Sequence, residues 1–374
     1  MDTMKRIKKL QKYMQEKEIS TTFVFNPENQ FYLTGFKALI YSRPIVLHLN
    51  FEKTSIIVPG LEETHAKEDA NVEDVLVYYE HPNLYRAETT HTTFIESLAK
   101  QSLASPKIGV DLSSVPGDIL QLLQNSGFEV VDIGQTILEM RYIKDSQEIA
   151  MMEEAGQLVN LAVGKSLAVI QEGITEMEID MAGNTALLQK TSTDYPEATI
   201  DIIVMSPSGI KRSIMPHVFS NTRKIEKGDV IIHSRQVSLN GYRAELERTV
   251  IVGTPTEEQR VALEAATEAQ QRAMEFIKPG VKFSEVDEVA RNVFVSKGLE
   301  KYAIHRTGHG LGVSAHEKPF LRFDHHGIVE EGMVFSIEPG IYIPGVGGFR
   351  HSDTVVITKD GCRPITTYPY EMHP

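Results

Sequence analysis

The amino-acid sequence predicts an α+β protein of two domains, in which a smaller α/β domain of residues 1–135 precedes a larger domain of residues 136–374. Three observations predict this arrangement. The length of 374 residues exceeds what one compact core usually carries. Strand-like runs alternate with helical periods in the first third, which is typical of an α/β layer. After Gly134, long helical segments are interleaved with pairs of strands, which is typical of an α+β domain.

The first domain begins with a helical period over residues 4–15, in which Ile7, Leu10 and Met14 recur on one face. Further helical periods cover TTFIESLAKQSLA and GDILQLLQNSG, and Gly127 ends the second of them. The strand-like runs are TTFVFN, PIVLHL, TSIIVP, VEDVLVYY, KIGVDL and FEVVDIG. This alternation predicts a parallel or mixed sheet with helices packed against it.

The second domain opens with a long helical segment, QTILEMRYIKDSQEIAMMEEAGQLVNLAVGKSLAVI. Asp145 and Glu148 form a capping signal at the start of its second helix. Three more helices are predicted over EMEIDMAGNTALLQKT, TPTEEQRVALEAATEAQQRAMEFI and FSEVDEVARNVFVSKG. The strands between and after them are TIDIIVMSP, DVIIHSRQVSLNG, RTVIVGT, MVFSIEPGIYI and DTVVIT.

Composition excludes several classes of function. The formal net charge of −13 argues against a nucleic-acid partner, which needs a basic face. Cys362 is the only cysteine, so the chain has no intrachain disulfide or cysteine-based zinc site, as expected in a reducing cytoplasm. No run approaches 18 apolar residues, and the N-terminal segment lacks the apolar stretch of a secretion signal. We therefore expect a cytoplasmic protein without membrane partners.

Several segments of the second domain match one family in order and spacing. They are PHVFSNTRKIEKGD, NGYRAELERT, GHGLG, MVFSIEPGIY and GGFRHSDTVVIT, preceded by NQFYLTGF and RYIKDSQEI. The chain thereby resembles the pita-bread family of aminopeptidases, prolidases and creatinases over nearly its whole length. The resemblance implies a pita-bread C-terminal domain and a creatinase/prolidase-type N-terminal domain. It also implies a homodimer, in which the N-terminal domain reaches the neighbour's site.

Peptidases of that family hold two metal ions with two aspartates, one histidine and two glutamates. The resemblance places these five positions on Ser234, Glu245, His309, Glu338 and Ser352. Two carboxylates are thus replaced by neutral hydroxyls, which bind hard divalent cations poorly. The resemblance therefore implies no dinuclear metal site and no required cofactor. The possibility of a single, weakly bound divalent ion at Glu245, His309 and Glu338 remains as an alternative.

Creatinase and the similar ectoine hydrolase also lack the metal ligands but remain hydrolases. They carry a glutamate in a segment resembling ALERT, which corresponds to Glu247 in ELERT here. Their catalytic histidine falls on His217. The resemblance implies that His217 acts as general acid and base, with Glu247 and Glu338 clamping or attacking the substrate carbon. His309 and His316 are expected to line the cavity and bind the substrate.

Creatinase also uses an aromatic residue and an arginine of the partner subunit's N-terminal domain to hold a substrate carboxylate. These fall on Tyr41 and Arg43, and a planar guanidinium suits such a contact. A solvated loop arginine is the alternative interpretation of Arg43. A further substrate-binding arginine of creatinase is replaced by Phe320, with Arg322 nearby, so creatine itself does not fit the pattern.

Two further interpretations concern the neighbours of these positions. Glu247 and Arg248 are also consistent with a surface ion pair on a strand. His351 and Asp353 flank Ser352 and are expected to refill the space of the lost ligand through a hydrogen bond. Both interpretations depend on which face of its strand each side chain occupies.

The function predicted first is metal-independent hydrolysis of a C–N bond in a small, carboxylate-bearing, amino-acid-like molecule. One alternative is an Xaa-Pro dipeptidase or aminopeptidase with a degenerate site for one metal ion. The other is a non-catalytic pita-bread protein that binds peptides.

Overall fold

The computed structural model describes residues 2–101, 105–370 and 373, and the chain divides into two compact units after Arg141. The boundary predicted near residue 135 lies within the last helix of the first unit. Among the described helices, none is long and apolar enough to cross a membrane. The predicted α+β class is confirmed.

The first unit is a mixed six-stranded sheet with helices on both faces. Its strands are β1 (Thr21–Val24), β2 (Val46–Asn50), β3 (Thr54–Pro59), β4 (Asp74–Tyr78), β5 (Lys107–Val110) and β6 (Glu129–Asp132), in the order β4-β3-β2-β1-β5-β6. Its helices are α1 (Thr3–Glu16), α2 (Pro27–Thr34), α3 (Glu63–Asp69), α4 (His91–Gln101), α5 (Gly117–Asn125) and α6 (Gly134–Met140). The last three residues of the helix predicted over TTFIESLAKQSLA lie outside the described residues.

The second unit is built on one large antiparallel sheet. Its helices are α7 (Ser146–Leu167), α8 (Glu176–Asp194), α9 (Gly209–Arg212), α10 (Glu257–Phe276) and α11 (Phe283–Ser296). Its strands are β7 (Ile200–Met205), β8 (Val230–Leu239), β9 (Tyr242–Ile251), β10 (Gly308–Gly310), β11 (Glu317–Leu321), β12 (Val334–Ile337), β13 (Gly340–Ile343), β14 (Gly347–Arg350), β15 (Ser352–Thr358) and β16 (Gly361–Pro364). The sheet runs β11-β10-β12-β15-β9-β8-β7, with β16 paired to β15 and β13–β14 forming a separate hairpin.

Local sequence signals fix where these elements begin and turn. The Asp145 side chain accepts hydrogen bonds at the start of α7, and Glu148 completes the predicted capping box. Asn240 and Gly241 join β8 to β9 with positive φ angles of 49° and 91°. A two-residue Asn-Gly loop is the typical tight hairpin turn, and it sets the register of the two longest strands.

The helices α7, α8, α10 and α11 cover one face of this sheet. Phe335, Ile337 and Val355 pack there in one apolar cluster with residues of α10 and α11. Towards the other pair of helices, Arg235 donates hydrogen bonds to the Ser166 hydroxyl and the Asp180 carbonyl. Because successive strand residues point to opposite faces, their sequence neighbours face away from the helices. That opposite face carries the polar cluster described next.

Candidate active site

Strand register brings the positions that correspond to the family's metal ligands onto one face of the sheet. Glu247 lies directly opposite Ser234 on β8 and Ser352 on β15. Glu245 lies opposite Gln236, two residues along both strands. Residues paired in this way project from the same face. The tight Asn-Gly turn between β8 and β9 therefore places these side chains together.

His309 provides an imidazole at the centre of this face. Its Nδ1 donates to the Gly310 carbonyl at 2.9 Å, which leaves Nε2 to face the cluster. Nε2 lies 3.3 Å from Glu338 Oε1 and 3.9 Å from Glu245 Oε2. Burial acts to lower the pKa of His309, but the Glu338 and Glu245 carboxylates outweigh it and raise that pKa.

Glu245 is surrounded by neutral hydrogen-bond donors. The Gln236 amide donates to Oε2, and the hydroxyls of Ser336 and Ser352 each lie 2.9 Å from Oε1. The two hydroxyls are 2.6 Å apart. The Ser352 hydroxyl therefore binds a carboxylate at the position where the family's last metal-binding glutamate would stand.

Glu247 forms an ion pair with Arg350, a residue that sequence reasoning did not single out. Nη2 of Arg350 donates to Oε1 at 2.5 Å, and Nε lies 2.5 Å from Oε2. Nη1 lies 3.8 Å from Glu338 Oε2 and donates to the Tyr342 hydroxyl at 3.2 Å. Burial raises the pKa of Glu247 to about 7, although the guanidinium acts to lower it. Burial also acts to raise the pKa of Glu338, but His309 and Arg350 outweigh it and lower that pKa.

The hairpin β13–β14 delivers Arg350 to this place. The Arg350 backbone N–H donates to the Thr249 hydroxyl at 3.0 Å, and that hydroxyl donates to the Arg350 carbonyl at 2.7 Å. The only signal for Arg350 in the sequence was indirect. Glu247 is a carboxylate on a strand, at a position where metal-binding relatives of the family usually have none, and a buried carboxylate needs a cation nearby.

Two further histidines border the cluster. The His316 ring stacks on His309 with centroids 3.8 Å apart, and its Nδ1 accepts from Arg306 Nη2 at 3.0 Å. The second, His305, has its Nε2 3.0 Å from the Tyr342 hydroxyl. Burial lowers the pKa of each imidazole to about 4, so both are neutral at pH 7.

His217 is exposed on the loop between α9 and β8, within electrostatic range of the same cluster. Burial is the main cause that lowers its pKa, followed by the charge of Arg350, while Glu338 acts to raise it. The lowered pKa keeps the imidazole neutral at pH 7.

A buried carboxylate, Glu176, anchors the loop that carries His217. Glu176 accepts from the Ser208 backbone N–H at 2.8 Å and from Arg212 Nε and Nη2 at 2.9 Å each. It also accepts from the Asn221 backbone N–H at 3.0 Å. Both ends of the loop are thereby bound to one side chain.

Two interpretations of neighbouring residues are wrong. Arg248 does not form a surface pair with Glu247, because adjacent strand residues point to opposite faces. Instead, buried Arg248 contacts Asp353 on the helix-covered face, with Nη1 3.0 Å from Oδ2. Asp353 therefore does not refill the space beside Ser352. His351 does not either, since its Nδ1 accepts from the Thr249 backbone N–H at 3.4 Å.

Tyr41 and Arg43 belong to the first unit and are not members of the cluster in the second. Tyr41 is 88% exposed. Arg43 forms a surface ion pair, with Nε 2.7 Å from Glu80 Oε2. Their expected role in the site of a neighbouring subunit stays a prediction.

The residues present fit one divalent cation but not two. Glu245, Glu247 and Glu338 offer oxygens that lie within 4.8 Å of one another. His309 Nε2 is buried without a hydrogen-bond partner among the described residues, and such an atom suits a ligand. A second ion would rely on the hydroxyls of Ser234 and Ser352, and the guanidinium of Arg350 already neutralises Glu247.

Both units match families of known proteins. The description "Metallopeptidase family M24" matches residues 150–359, and "Creatinase/Prolidase N-terminal domain" matches residues 6–143. An Xaa-Pro dipeptidase of Pyrococcus furiosus is 32% identical over 98% of this chain and 99% of its own length. The crystal structure of the prolidase from Pyrococcus horikoshii has a TM-score of 0.85 at 29% identity, covering 98% of this chain and 99% of that one. For the recombinant prolidase from Thermococcus sibiricus the TM-score is 0.87 at 30% identity, covering 100% and 99%.

Proposed function

Because this chain belongs to metallopeptidase family M24, we propose that it is a hydrolase of the Xaa-Pro dipeptidase type that works with at most one divalent cation. The chain has the pita-bread fold and the creatinase/prolidase-type N-terminal domain that the sequence predicted. Its activity class is hydrolysis of a C–N bond. The dipeptide substrate and the single cation are the proposal.

The observation that carries this proposal is the arrangement of Glu245, His309 and Glu338. The first and third offer carboxylate oxygens within 4 Å of the unbonded Nε2 of His309. When bound in such a site, a divalent cation polarises a carbonyl and lowers the pKa of water. This arrangement favours the single-ion peptidase over the metal-independent hydrolase that the sequence predicted first.

The remaining groups suit proton transfer and charge control. His217 is neutral at pH 7, so it can accept a proton and later deliver it to the departing nitrogen. Arg350 and His309 hold Glu338 in its ionised form.

A second candidate is metal-independent hydrolysis of a small carboxylate-bearing amide or amidine. The Glu247–Arg350 ion pair favours it, because the guanidinium supplies a permanent positive charge among the carboxylates. In this candidate Glu247 and Glu338 clamp a cationic carbon or supply the attacking carboxylate. The full-length similarity to Xaa-Pro dipeptidases supports the first candidate more strongly.

We also propose that two copies of this chain form a homodimer and that Tyr41 and Arg43 act in the site of the neighbour. The exposed apolar side chains Leu39, Tyr41 and Leu61, which are 77%, 88% and 76% exposed, support a partner surface near Arg43. A cytoplasmic location stays a prediction. The non-catalytic peptide-binding alternative is less well supported, since the relatives named above are peptidases.

One set of assays separates these candidates. The purified protein is analysed for bound metal and then assayed on Xaa-Pro dipeptides, creatine-like amidines and ectoine-like substrates, with and without chelator. Chelator-sensitive cleavage of an Xaa-Pro dipeptide with no more than one ion per chain supports the first candidate. Chelator-resistant cleavage of the other substrates supports the second, and binding without cleavage supports the third.

A further inference from the structure

The position of His217 depends on the connection between β7 and β8, residues 206–229, which carries it. The imidazole of His217 makes no hydrogen bond to any residue that the structure describes. Two apolar side chains of the connection, Met215 and Phe219, are 44% and 79% exposed, so apolar burial contributes little at these two positions. Hydrogen bonds to the rest of the fold therefore hold this part of the chain in place.

A second carboxylate of α8 contacts this connection, four residues after Glu176. Asp180 is only 8% exposed, and its Oδ1 accepts from the Ser206 hydroxyl at 2.6 Å. Burial raises the pKa of Asp180, whereas hydrogen bonds from the hydroxyls of Ser206 and Ser220 act to lower it. Because these two serines are 14 positions apart, one carboxylate binds both ends of the segment that contains His217.

The two serines also contact each other and the sheet. The backbone N–H of Ser206 donates to Ser220 Oγ at 2.7 Å. The Ser206 hydroxyl lies 2.8 Å from Nδ1 of His233, which is fully buried on β8. Since the single hydroxyl hydrogen of Ser206 is directed at Asp180, the imidazole of His233 is the donor in this contact. The Ser206 hydroxyl is thereby fixed from two sides, by the sheet and by α8.

We propose that Asp180 is a positioning residue, which closes the loop between Ser206 and Ser220 and thereby fixes where the imidazole of His217 lies. His217 is three residues before Ser220, so a displacement of Ser220 is passed on to it. A shift of about 1 Å at a reacting group can lower a rate by about 10²-fold. The inference rests on the proposed function, in which His217 transfers the proton.

The substitution Asp180→Ala removes both hydroxyl contacts and keeps a residue that favours the helix. We expect D180A to lower kcat for Ala-Pro by roughly ten- to a hundredfold with little change in KM, because the imidazole is displaced while the rest of the site is kept. Asp180→Asn, which retains an acceptor oxygen, should recover part of the loss. Asp194→Ala is the matched control and should equal the wild type, because Asp194 lies on the same helix and pairs with Lys190 at the surface.

A double-mutant cycle separates positioning from a general structural defect. If Asp180 acts through His217, D180A/H217A should have the same kcat as H217A, because no imidazole is left to be placed. A further loss of kcat in D180A/H217A would show a merely structural role and would overturn the inference. The cycle is repeated with D180N, and thermal unfolding of each variant shows that folded proteins are compared.

Hydrogen exchange followed by mass spectrometry separates this inference from the proposed function. The amides of residues 206–221 should exchange faster in D180A than in the wild type by about tenfold or more, and D194A should show no change. If the wild type does not cleave Ala-Pro, or if H217A keeps full activity, the proposed function fails. Faster exchange confined to this loop then supports the positioning role, and unchanged exchange overturns it. If H217A loses activity while D180A keeps the wild-type kcat, the inference is overturned and the proposed function is retained.

Discussion

Arg350 and Glu247 form a two-point ion pair in the middle of the polar face, with Nη2 donating to Oε1 at 2.5 Å and Nε 2.5 Å from Oε2. Both side chains are almost fully buried, at 4% and 2% exposure. The pair brings a permanent cation among three carboxylates, Glu245, Glu247 and Glu338. The predictions below depend on how that charge is balanced.

Replacing Arg350 by methionine should lower the free energy of unfolding by about 3–5 kcal/mol, because it leaves Glu247 buried beside other carboxylates without its cation. Denaturant-induced unfolding of the wild type and the variant measures the difference. The double variant E247L/R350M should recover most of the loss, because no charge is then left unpaired.

The surface pair Arg363–Glu153 offers a matched control, with side chains 51% and 37% exposed. Replacing Arg363 by methionine should change stability by less than about 1 kcal/mol, as is typical of exposed pairs. An R350M variant as stable as R363M would show that the buried pair contributes little.

The pH dependence of stability should carry a signature of Glu247. Folding raises its pKa from 4.5 to about 7, so the folded state binds more protons than the unfolded state between these values. Its stabilising contribution is therefore fully present below pH 4.5 and is lost as the pH rises towards 7.

The difference in unfolding free energy between wild type and Glu247→Gln, measured from pH 4 to pH 8, isolates this contribution from those of its neighbours. His309, whose pKa is raised from 6.5, is also expected to lose its contribution as the pH rises. Glu338, whose pKa is lowered from 4.5, loses its contribution as the pH falls. A wild-type-minus-E247Q difference that stays constant between pH 4.5 and pH 7 would contradict the raised pKa.

Much of the fold could be predicted because the signals are local. Helical periods and capping residues such as Asp145 with Glu148 depend on residues a few positions apart. Asn240 with Gly241 fixed the register of β8 and β9, and with it the opposition of Ser234 and Glu247. Resemblance then supplied the positions of His309 and the other expected site residues.

Arg350 could not be singled out from the sequence, because its partner is distant along the chain. Arg350 meets Glu247 across 103 positions, through a hairpin whose placement depends on tertiary packing. The wrong expectation for Asp353 has a different origin, because alternation along the strand already places the neighbours of Ser352 on the opposite face.

Replacing His217 by alanine should lower kcat by a factor of about 10²–10⁴, because it removes the proposed proton carrier. The fold should be unaffected, since His217 lies on an exposed loop. Steady-state kinetics together with thermal unfolding measure both effects. The exposed His326 provides a control, and His326→Ala should leave kcat unchanged.

The activity of the wild type should rise through a midpoint below pH 6.5, where His217 loses its proton.

The number of metal ions bound per chain tests whether the uncharged side chains of Ser234 and Ser352 limit the site to a single ion. The wild type should bind no more than one Mn²⁺ per chain, because Ser234 and Ser352 contribute no charge and Arg350 neutralises Glu247. The variant S234D/E247T/S352E restores two carboxylates and releases the guanidinium, so it should bind close to two ions. Calorimetric titration with Mn²⁺ measures both stoichiometries, and the variant S234A/S352A, which adds no carboxylate, should behave as the wild type. Two ions per chain in the wild type would show that the hydroxyls do not limit the site, whereas one ion in the restored variant would place the limit outside these positions.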